Sequence, residues 1–312
     1  MKLLFSYTFS IVGIQLNTKN KPFFLSVEIA NFCNLHCPEC PVGLRKISRN
    51  EKKLFDFDLF KRIIDDLHSQ LISVILYFQG EPFLNNQLID YIQYAHKSNI
   101  YTSTSTNGQF ITKDNAKDLV KSGLDKIIFS VDGVSQETYE KYRVGGSLEK
   151  TIDGIRDIIG WKNELKSLTP LVEMQFLVLK TNEHQLKEMR QLAKSLNVDR
   201  LTFKTAQLYD FAHGNELMPS KSRYSRYSKG KDGKFSIKSR QPNRCWRLWS
   251  GAVVNVYGEV LPCCFDKASE HSFGNVNEQS FPACWHSKNA TGFREKILQN
   301  RKQFEMCRNC TE

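Results

Sequence analysis

The sequence predicts an α/β fold built on a parallel sheet, followed by a small cysteine-rich unit near the C-terminus. Between residues 23 and 206, strand-like runs alternate with helical runs, and repeated βα units place successive strands parallel in one sheet. Six of the nine cysteines lie after residue 244. A chain of 312 residues is long enough for one large domain with such an appendage.

Six strands and five helices are predicted in order along the chain. The strands cover residues 23–29, 73–78, 100–105, 126–131, 171–179 and 200–204. Apolar residues at helical spacing predict helices over residues 58–69, 88–98, 115–122, 148–165 and 183–196. Because the carboxyl ends of parallel strands meet at one edge, we expect the functional groups in the loops that follow the strands.

Composition excludes few functions, but the charge is informative. Hydrophobic content of 40% and charged content of 25% are ordinary for a globular protein, whereas the net charge of +11 is high. Much of the positive excess lies in residues 221–247. A basic surface without a partner, a groove for an acidic or phosphorylated substrate, and contact with RNA are all compatible with it.

The two ends of the core are predicted from composition. Residues 1–22 form an N-terminal extension with a faint resemblance to a signal peptide, but polar residues interrupt its apolar run and no cleavage site follows. No stretch reaches transmembrane length. Residues 23–206 form the core, and residues 207–244, rich in Lys, Arg, Ser, Tyr and Gly, are expected to be a flexible, solvated connection to the unit at 245–312.

The run Asn31-Phe-Cys-Asn-Leu-His-Cys-Pro-Glu-Cys-Pro41 is the most specific motif and follows the first strand. Its C-x3-C-x2-C spacing supplies three thiolates and no nearby fourth, so a [4Fe-4S] cluster held there keeps one iron open for a small molecule. A zinc site completed by His36 is the alternative. Disulfides are disfavoured by the odd cysteine count and the chain length.

The cysteine run, with Phe32 inside it, resembles the cluster loop of the radical S-adenosylmethionine (radical SAM) superfamily. The resemblance implies an open, partial (β/α)6 barrel similar to a TIM barrel, with Cys33, Cys37 and Cys40 as ligands of the [4Fe-4S] cluster. It implies that the open iron binds S-adenosylmethionine, and that reductive cleavage of this cofactor yields a radical that abstracts a substrate hydrogen atom.

Further motifs at strand ends are similar to cofactor-contacting elements of that family. Gln79-Gly-Glu-Pro82 is similar to Gly-Gly-Glu-Pro with Gln79 in place of the first glycine, and 103–108 ends in Thr-Asn-Gly. Taken alone, each motif is also compatible with an ordinary turn. The residues that the resemblance implies as cofactor-binding are Phe32, Gly80, Glu81, Pro82, Ser105, Asn107, Ser130, Asp132 and Arg143.

The C-terminal cysteines form a second set. Cys245 and Cys263 lie in a C-x12-G-x4-C pattern, and Cys307 and Cys310 follow as C-x2-C. Four thiolates can close around a [4Fe-4S] cluster with no open iron, and a structural zinc is the alternative. The pattern resembles the auxiliary-cluster domain called SPASM in its shortened, twitch-like form, which implies that all four cysteines bind an auxiliary [4Fe-4S] cluster.

Cys264 and Asp266 are the candidate catalytic residues. Cys264 follows Cys263 directly, where some SPASM enzymes carry an aspartate that acts as a base. Resemblance to radical SAM epimerases implies that a thiol at this place donates a hydrogen atom, but a buried and inert Cys264 is an equally open interpretation. Cys284 is expected to be a core residue.

These observations lead to a functional hypothesis. We expect a radical SAM oxidoreductase or maturase that oxidises or modifies a small molecule or sugar, and a peptide-modifying epimerase or maturase is the alternative. A zinc-stabilised, non-enzymatic nucleic-acid-binding module is a distant third. We further expect a cytoplasmic location, which suits an oxygen-sensitive cluster, and an electron donor such as flavodoxin or ferredoxin, with no membrane or nucleic-acid partner.

Overall fold

The computed structural model describes residue 8, residues 20–44 and residues 51–311. The N-terminal extension and its signal-like run therefore lie almost entirely outside the described residues. Among the described residues, no helix is long and apolar enough to cross a membrane.

One eight-stranded sheet forms the core. Together with a separate two-stranded hairpin, the described residues form ten strands. These are β1 Phe24–Val27, β2 Ser73–Ile75, β3 Tyr101–Thr106, β4 Lys126–Ser130, β5 Leu171–Val178, β6 Arg200–Thr205, β7 Tyr227–Lys229, β8 Phe235–Ile237, β9 Gly251–Val254 and β10 Val260–Leu261. The order in the sheet is β10-β9-β1-β2-β3-β4-β5-β6. Neighbours from β9 to β6 are parallel and β10 is antiparallel to β9, whereas β7 and β8 form a separate hairpin. The predicted α/β fold with a partial barrel is confirmed.

The helices cross between the strands, close to the predicted bounds. They are α1 Phe57–Leu67, α2 Leu88–Lys97, α3 Lys113–Lys121, α4 Gln136–Glu140, α5 Leu148–Glu164, α6 Leu186–Ser195, α7 Arg247–Ser250, α8 Phe281–Trp285, α9 Lys288–Asn300 and α10 Glu305–Arg308. α3 begins two residues earlier than predicted because Thr112 and Asn115 form a capping box. The five-residue α4 was not predicted.

The C-terminal unit extends the sheet of the core, which the sequence did not predict. β9 pairs in parallel with β1, with Phe24 opposite Gly251 and Val27 opposite Val254. A Cβ at Gly251 would lie 3.0 Å from the carbonyl oxygen of Phe24, so glycine suits this close pairing. The four-residue β9 lies among the C-terminal cysteines, and its short apolar run gave no sign of a partner more than 200 residues earlier.

Residues 207–244 differ from the expected flexible connection. Leu208 and Tyr227 are 0% and 3% exposed, and they pack with Leu35 and Cys37 of the cysteine loop. The Tyr227 hydroxyl accepts a hydrogen bond from the Leu208 amide (2.9 Å) and donates one to Asn309 (2.8 Å). Apart from half-buried Arg226, the charged residues of this segment are exposed, and they hid its apolar side in the composition. The limits 1–22, 23–206, 207–244 and 245–312 stay predictions.

Candidate functional site

The three clustered cysteines line one end of a cavity of about 590 Å³ at the carboxyl ends of the parallel strands. Loops after β1, β2, β3, β4 and β6 all contribute to its wall, as expected for a parallel sheet. The sequence-predicted residues that line this cavity are Cys33, Cys37, Cys40, Gly80, Glu81, Ser105, Asn107, Ser130, Arg143 and Cys264.

Glu81 connects three strand-end loops. Its Oε1 accepts hydrogen bonds from the Thr106 hydroxyl (2.8 Å) and the Phe83 amide (3.2 Å), and its Oε2 accepts one from the Asn107 amide (2.8 Å). The Glu81 amide donates to the carbonyl of Phe32 (2.9 Å). Burial raises the pKa of Glu81 to about 7. Because a carboxylate oxygen accepts two hydrogen bonds, Oε2 keeps capacity for an ammonium group in the cavity.

Gly80 lets the loop after β2 pack against the cysteine loop. A Cβ at this position would lie 2.2 Å from the Ala30 carbonyl oxygen and 2.8 Å from the Phe32 nitrogen, so only glycine fits. Three predicted cofactor-binding residues, Phe32, Pro82 and Asp132, do not line the cavity. The Phe32 ring lies 5.7 Å from the Lys52 ammonium, and Pro82 is buried where it begins a short 3₁₀ turn. Both shape the loops instead.

Asn107 joins the end of β3 to the cysteine loop. Its side-chain amide donates to Asn34 Oδ1 (2.8 Å) and lies 3.6 Å from Cys33 Sγ, which also accepts from the Leu35 amide at 3.4 Å. Burial raises the pKa of the Cys33 thiol to about 12. Iron binds the thiolate, so cluster binding would have to displace this proton. Hydrogen bonds to cluster sulfurs tune the reduction potential.

Arg143 is held by Asp132. Its Nε donates to Asp132 Oδ2 at 2.6 Å, and its Nη1 lies 3.9 Å from Cys37 Sγ. Asp132 is fully buried, and its other oxygen accepts from the Leu177 amide (2.6 Å). Asp132 does not line the cavity, because both of its carboxylate oxygens are bound by protein groups, so direct contact with the cofactor stays a prediction. Its contact with Nε fixes the orientation of the Arg143 guanidinium, which does line the cavity.

The second cysteine set borders a separate, small cavity in the C-terminal unit. Its wall includes Cys245, Cys263, Cys307 and Cys310. The side-chain amide of Gln241 donates to the carbonyls of Cys307 (2.7 Å) and Cys310 (3.0 Å), which closes the C-x2-C loop. In residues 20–44 and 51–311, no three His, Cys, Asp or Glu side chains are grouped to hold a single metal ion. In a [4Fe-4S] cluster each thiolate binds its own iron, so its ligands need not meet at one point.

Arg301 is a functional candidate that sequence reasoning missed. It is 1% exposed, and its Nη2 lies 3.1 Å from Cys310 Sγ. Burial acts to lower the pKa of Arg301, but charge interactions with Cys310, Cys245 and Cys307 outweigh it and raise the pKa. A buried cation beside the sulfurs of Cys245, Cys307 and Cys310 fits an anionic cluster, which would supply its counter-charge. An arginine six residues before a cysteine carries no recognisable sequence signal.

The two catalytic candidates are placed differently. Cys264 lines the first cavity, directly beside Cys263, which borders the second. Asp266 is 3% exposed, and its oxygens accept from the Glu270 amide (2.9 Å) and the His271 amide (3.0 Å). The structure therefore does not support a catalytic Asp266, because its carboxylate closes a turn and does not line the cavity.

A partial barrel with three cysteines at its open end, followed by a four-cysteine unit, defines a class of iron–sulfur enzymes. The chain belongs to the radical SAM superfamily, whose family model matches residues 27–193. A model described as an iron–sulfur cluster-binding domain, SPASM, matches residues 245–311. The enzyme accordingly uses a [4Fe-4S] cluster and S-adenosylmethionine, with auxiliary iron–sulfur binding in its C-terminal domain.

Curated relatives share about a quarter of the residues. The chain is 25% identical to the tungsten-containing aldehyde ferredoxin oxidoreductase cofactor-modifying protein of Pyrococcus furiosus, over 92% of this chain and 87% of that protein. It is 26% identical to the PqqA peptide cyclase of Rhizobium meliloti, over 93% of this chain and 79% of the cyclase.

Solved structures share the fold. BtrN in complex with AdoMet and 2-DOIA has a TM-score of 0.58 at 21% identity, with 94% of each chain covered. Streptococcus suis SuiB bound to S-adenosylmethionine has a TM-score of 0.67 at 16% identity, over 93% of this chain and 72% of SuiB.

The two cysteine sets predict the iron content of the protein. After anaerobic reconstitution we expect about eight irons per wild-type chain and about four after Cys33, Cys37 and Cys40 are all replaced by Ala. Replacing Cys245, Cys263, Cys307 and Cys310 should also leave about four irons. Iron and labile sulfide assays measure this. Replacing the core residue Cys284 by Ala is the matched control and should change neither value. Zinc in place of iron at either set would contradict the assignment of that set.

Arg301 predicts a shift in the reduction potential of the auxiliary cluster. A positive charge stabilises the more negative, reduced form, so Arg301→Gln should lower the potential by on the order of tens of millivolts. Redox titration followed by electron paramagnetic resonance measures this in protein of unchanged iron content. Arg301→Lys, which keeps the charge, and Lys302→Gln, which changes an exposed neighbour, should stay near wild type. Equal shifts in Arg301→Lys and Arg301→Gln would show that charge is not the cause.

Proposed function

We propose that this enzyme oxidises a small molecule after removing a hydrogen atom from it. The adjacency of Cys263 and Cys264 supports this most directly, because one residue borders the auxiliary site and the next lines the cavity. Arg247 and Phe265 line both spaces. A substrate in the cavity would lie within a residue or two of the auxiliary site, which suits the passage of an electron between them.

The cavity residues bind and orient the cofactor in this proposal. Glu81 would accept a hydrogen bond from its ammonium group, Arg143 would donate to its carboxylate, and Asn107 and Ser105 would bind its ribose hydroxyls. When bound, the first cluster and S-adenosylmethionine supply the radical that removes a substrate hydrogen atom, and the auxiliary cluster supplies an electron acceptor. The protein contributes position and the exclusion of water.

Two further parts of the proposal concern the surroundings of the enzyme. Flavodoxin or ferredoxin would supply the electron that starts each cycle. We place the enzyme in the cytoplasm, where a reducing environment preserves the clusters; none of the nine cysteines, all among the described residues, is in a disulfide.

Deuterium transfer from an unidentified substrate tests the proposal. An extract of source cells grown in D2O is divided into a small-molecule fraction and a peptide fraction, and each is incubated anaerobically with the reduced enzyme. Direct abstraction places deuterium in the 5′-deoxyadenosine product, which mass spectrometry detects. We expect transfer from the small-molecule fraction and none with Cys33→Ala enzyme.

Peptide modification is the second candidate, because the matched relative from Rhizobium meliloti is a peptide cyclase. Transfer from the peptide fraction alone would favour this candidate. No transfer from either fraction would refute hydrogen abstraction from a diffusible substrate.

Cys264 separates oxidation from a redox-neutral outcome. A thiol that returns a hydrogen atom to the substrate would place one solvent deuterium in the product in D2O, and Cys264→Ala would abolish turnover. Because our proposal is oxidation, we expect a product without solvent deuterium at carbon and Cys264→Ala activity within about threefold of wild type, a change of under 1 kcal/mol. Cys284→Ala is the control for loss of a buried thiol elsewhere. Loss of turnover in Cys264→Ala alone, with solvent deuterium in the wild-type product, would establish the thiol as the donor.

A further inference from the structure

The first cavity has a positively charged rim that the cofactor does not explain. We propose that the substrate carries an anionic group, a carboxylate or a phosphate, which binds to this basic rim of Lys204, Arg226, Arg247 and Lys267. All four residues line the cavity together with the cluster cysteines. The inference rests on the proposed function and names the chemical class of its substrate.

Among the described residues, the cavity wall carries two carboxyl side chains, Glu39 and Glu81, against five basic ones, Arg143 and the four residues of the rim. Glu39 accepts hydrogen bonds from the Tyr209 amide (3.0 Å) and the Asn215 side chain (3.2 Å), and Glu81 is held by the loops after β2 and β3. Arg143 is paired with buried Asp132, which does not line the cavity. The described residues of the cavity wall therefore carry an excess of basic over acidic side chains.

The two lysines of the rim are available to a ligand. None of the ion pairs formed in residues 20–44 and 51–311 includes Lys204 or Lys267. The ammonium group of Lys267 lies 4.6 Å from the centre of the Phe78 ring at the cavity wall, and its charge also interacts with that of buried Glu28. Lys204 is exposed and Lys267 is half-buried, so both ammonium groups lie where an anion from solvent can approach them.

The arginines fix the position of the bound group. Arg226 Nε donates to the carbonyl (3.3 Å) and hydroxyl (3.2 Å) oxygens of Thr205, which holds its guanidinium at the carboxyl end of β6 beside Lys204. Arg247 Nη1 lies 3.9 Å from Cys264 Sγ on the other side of the cavity. A planar guanidinium can donate two parallel hydrogen bonds to two oxygens of one carboxylate or phosphate group. An anion held between these arginines would keep the rest of the substrate between Cys264 and the cluster cysteines.

Binding of simple anions tests the inference without knowledge of the substrate. The reconstituted protein, saturated with S-adenosylmethionine, is titrated anaerobically with inorganic phosphate and separately with malonate, by isothermal titration calorimetry. We expect saturable binding of at least one probe, weakened at least tenfold in Lys204→Gln and in Lys267→Gln. Lys97→Gln, an exposed lysine on α2, is the matched control and should bind as wild type does.

The two probes distinguish a phosphate from a carboxylate as the anionic group of the substrate. Tighter phosphate binding points to a phosphorylated substrate, and tighter malonate binding points to a carboxylate. Iron content and S-adenosylmethionine affinity should be unchanged in both lysine variants, which shows that the sites are intact. Absence of saturable binding of both anions, or equal affinity in wild type and both lysine variants, would overturn the inference.

The deuterium experiment distinguishes failure of this inference from failure of the proposed function. Deuterium transfer that comes only from compounds without an anionic group would overturn the basic rim as a substrate site and leave oxidation standing. Anion binding that depends on the rim lysines, without any deuterium transfer, would support the basic rim as a binding site and refute the proposed reaction.

Discussion

One buried carboxylate, that of Glu81, holds the site together. It lies after β2, accepts from two groups at the end of β3, and its own amide bonds to Phe32 in the cysteine loop. A buried carboxyl group without partners would be costly, so these hydrogen bonds fix three loops relative to one another. Gly80 makes the same contact possible by allowing the two backbones to approach. The positions of the cluster cysteines and of the cavity wall all depend on this junction.

Features that depend on residues close together in the sequence could be predicted, whereas features that depend on contacts between distant segments could not. The C-x3-C-x2-C spacing and the strand-end position of Glu81 are local, so both sites and the parallel fold could be predicted. The placement of Asp132 and Asp266 away from the cavity wall could not be predicted, because the direction of a carboxylate depends on packing: Asp132 turns towards Arg143 and Leu177, and Asp266 closes its own turn. The pairing of β9 with β1 joins segments far apart in the chain, and no short motif records it.

Each cysteine set has an arginine beside it, and the two arginines serve different needs. Arg143 Nη1 lies 3.9 Å from Cys37 Sγ, but the charge of the guanidinium is balanced by Asp132. The first cavity therefore has an oriented hydrogen-bond donor with little net charge from this pair. Arg301 Nη2 lies 3.1 Å from Cys310 Sγ, and its charge interacts with the cysteine sulfurs of the second set. The two cysteine sets therefore receive different electrostatic environments from the same type of side chain.

The continuity of β9 with β1 has a consequence for how the chain can be divided. An unpaired strand presents free amide and carbonyl groups along its edge, and such edges recruit other chains into aggregates. β1 is a central strand only because the C-terminal unit covers it. The barrel cut off before that unit would expose the strand that leads into the cysteine loop. The auxiliary domain thus acts as a protective cover for the catalytic domain, and the two halves can be exchanged between enzymes only with this strand pairing preserved.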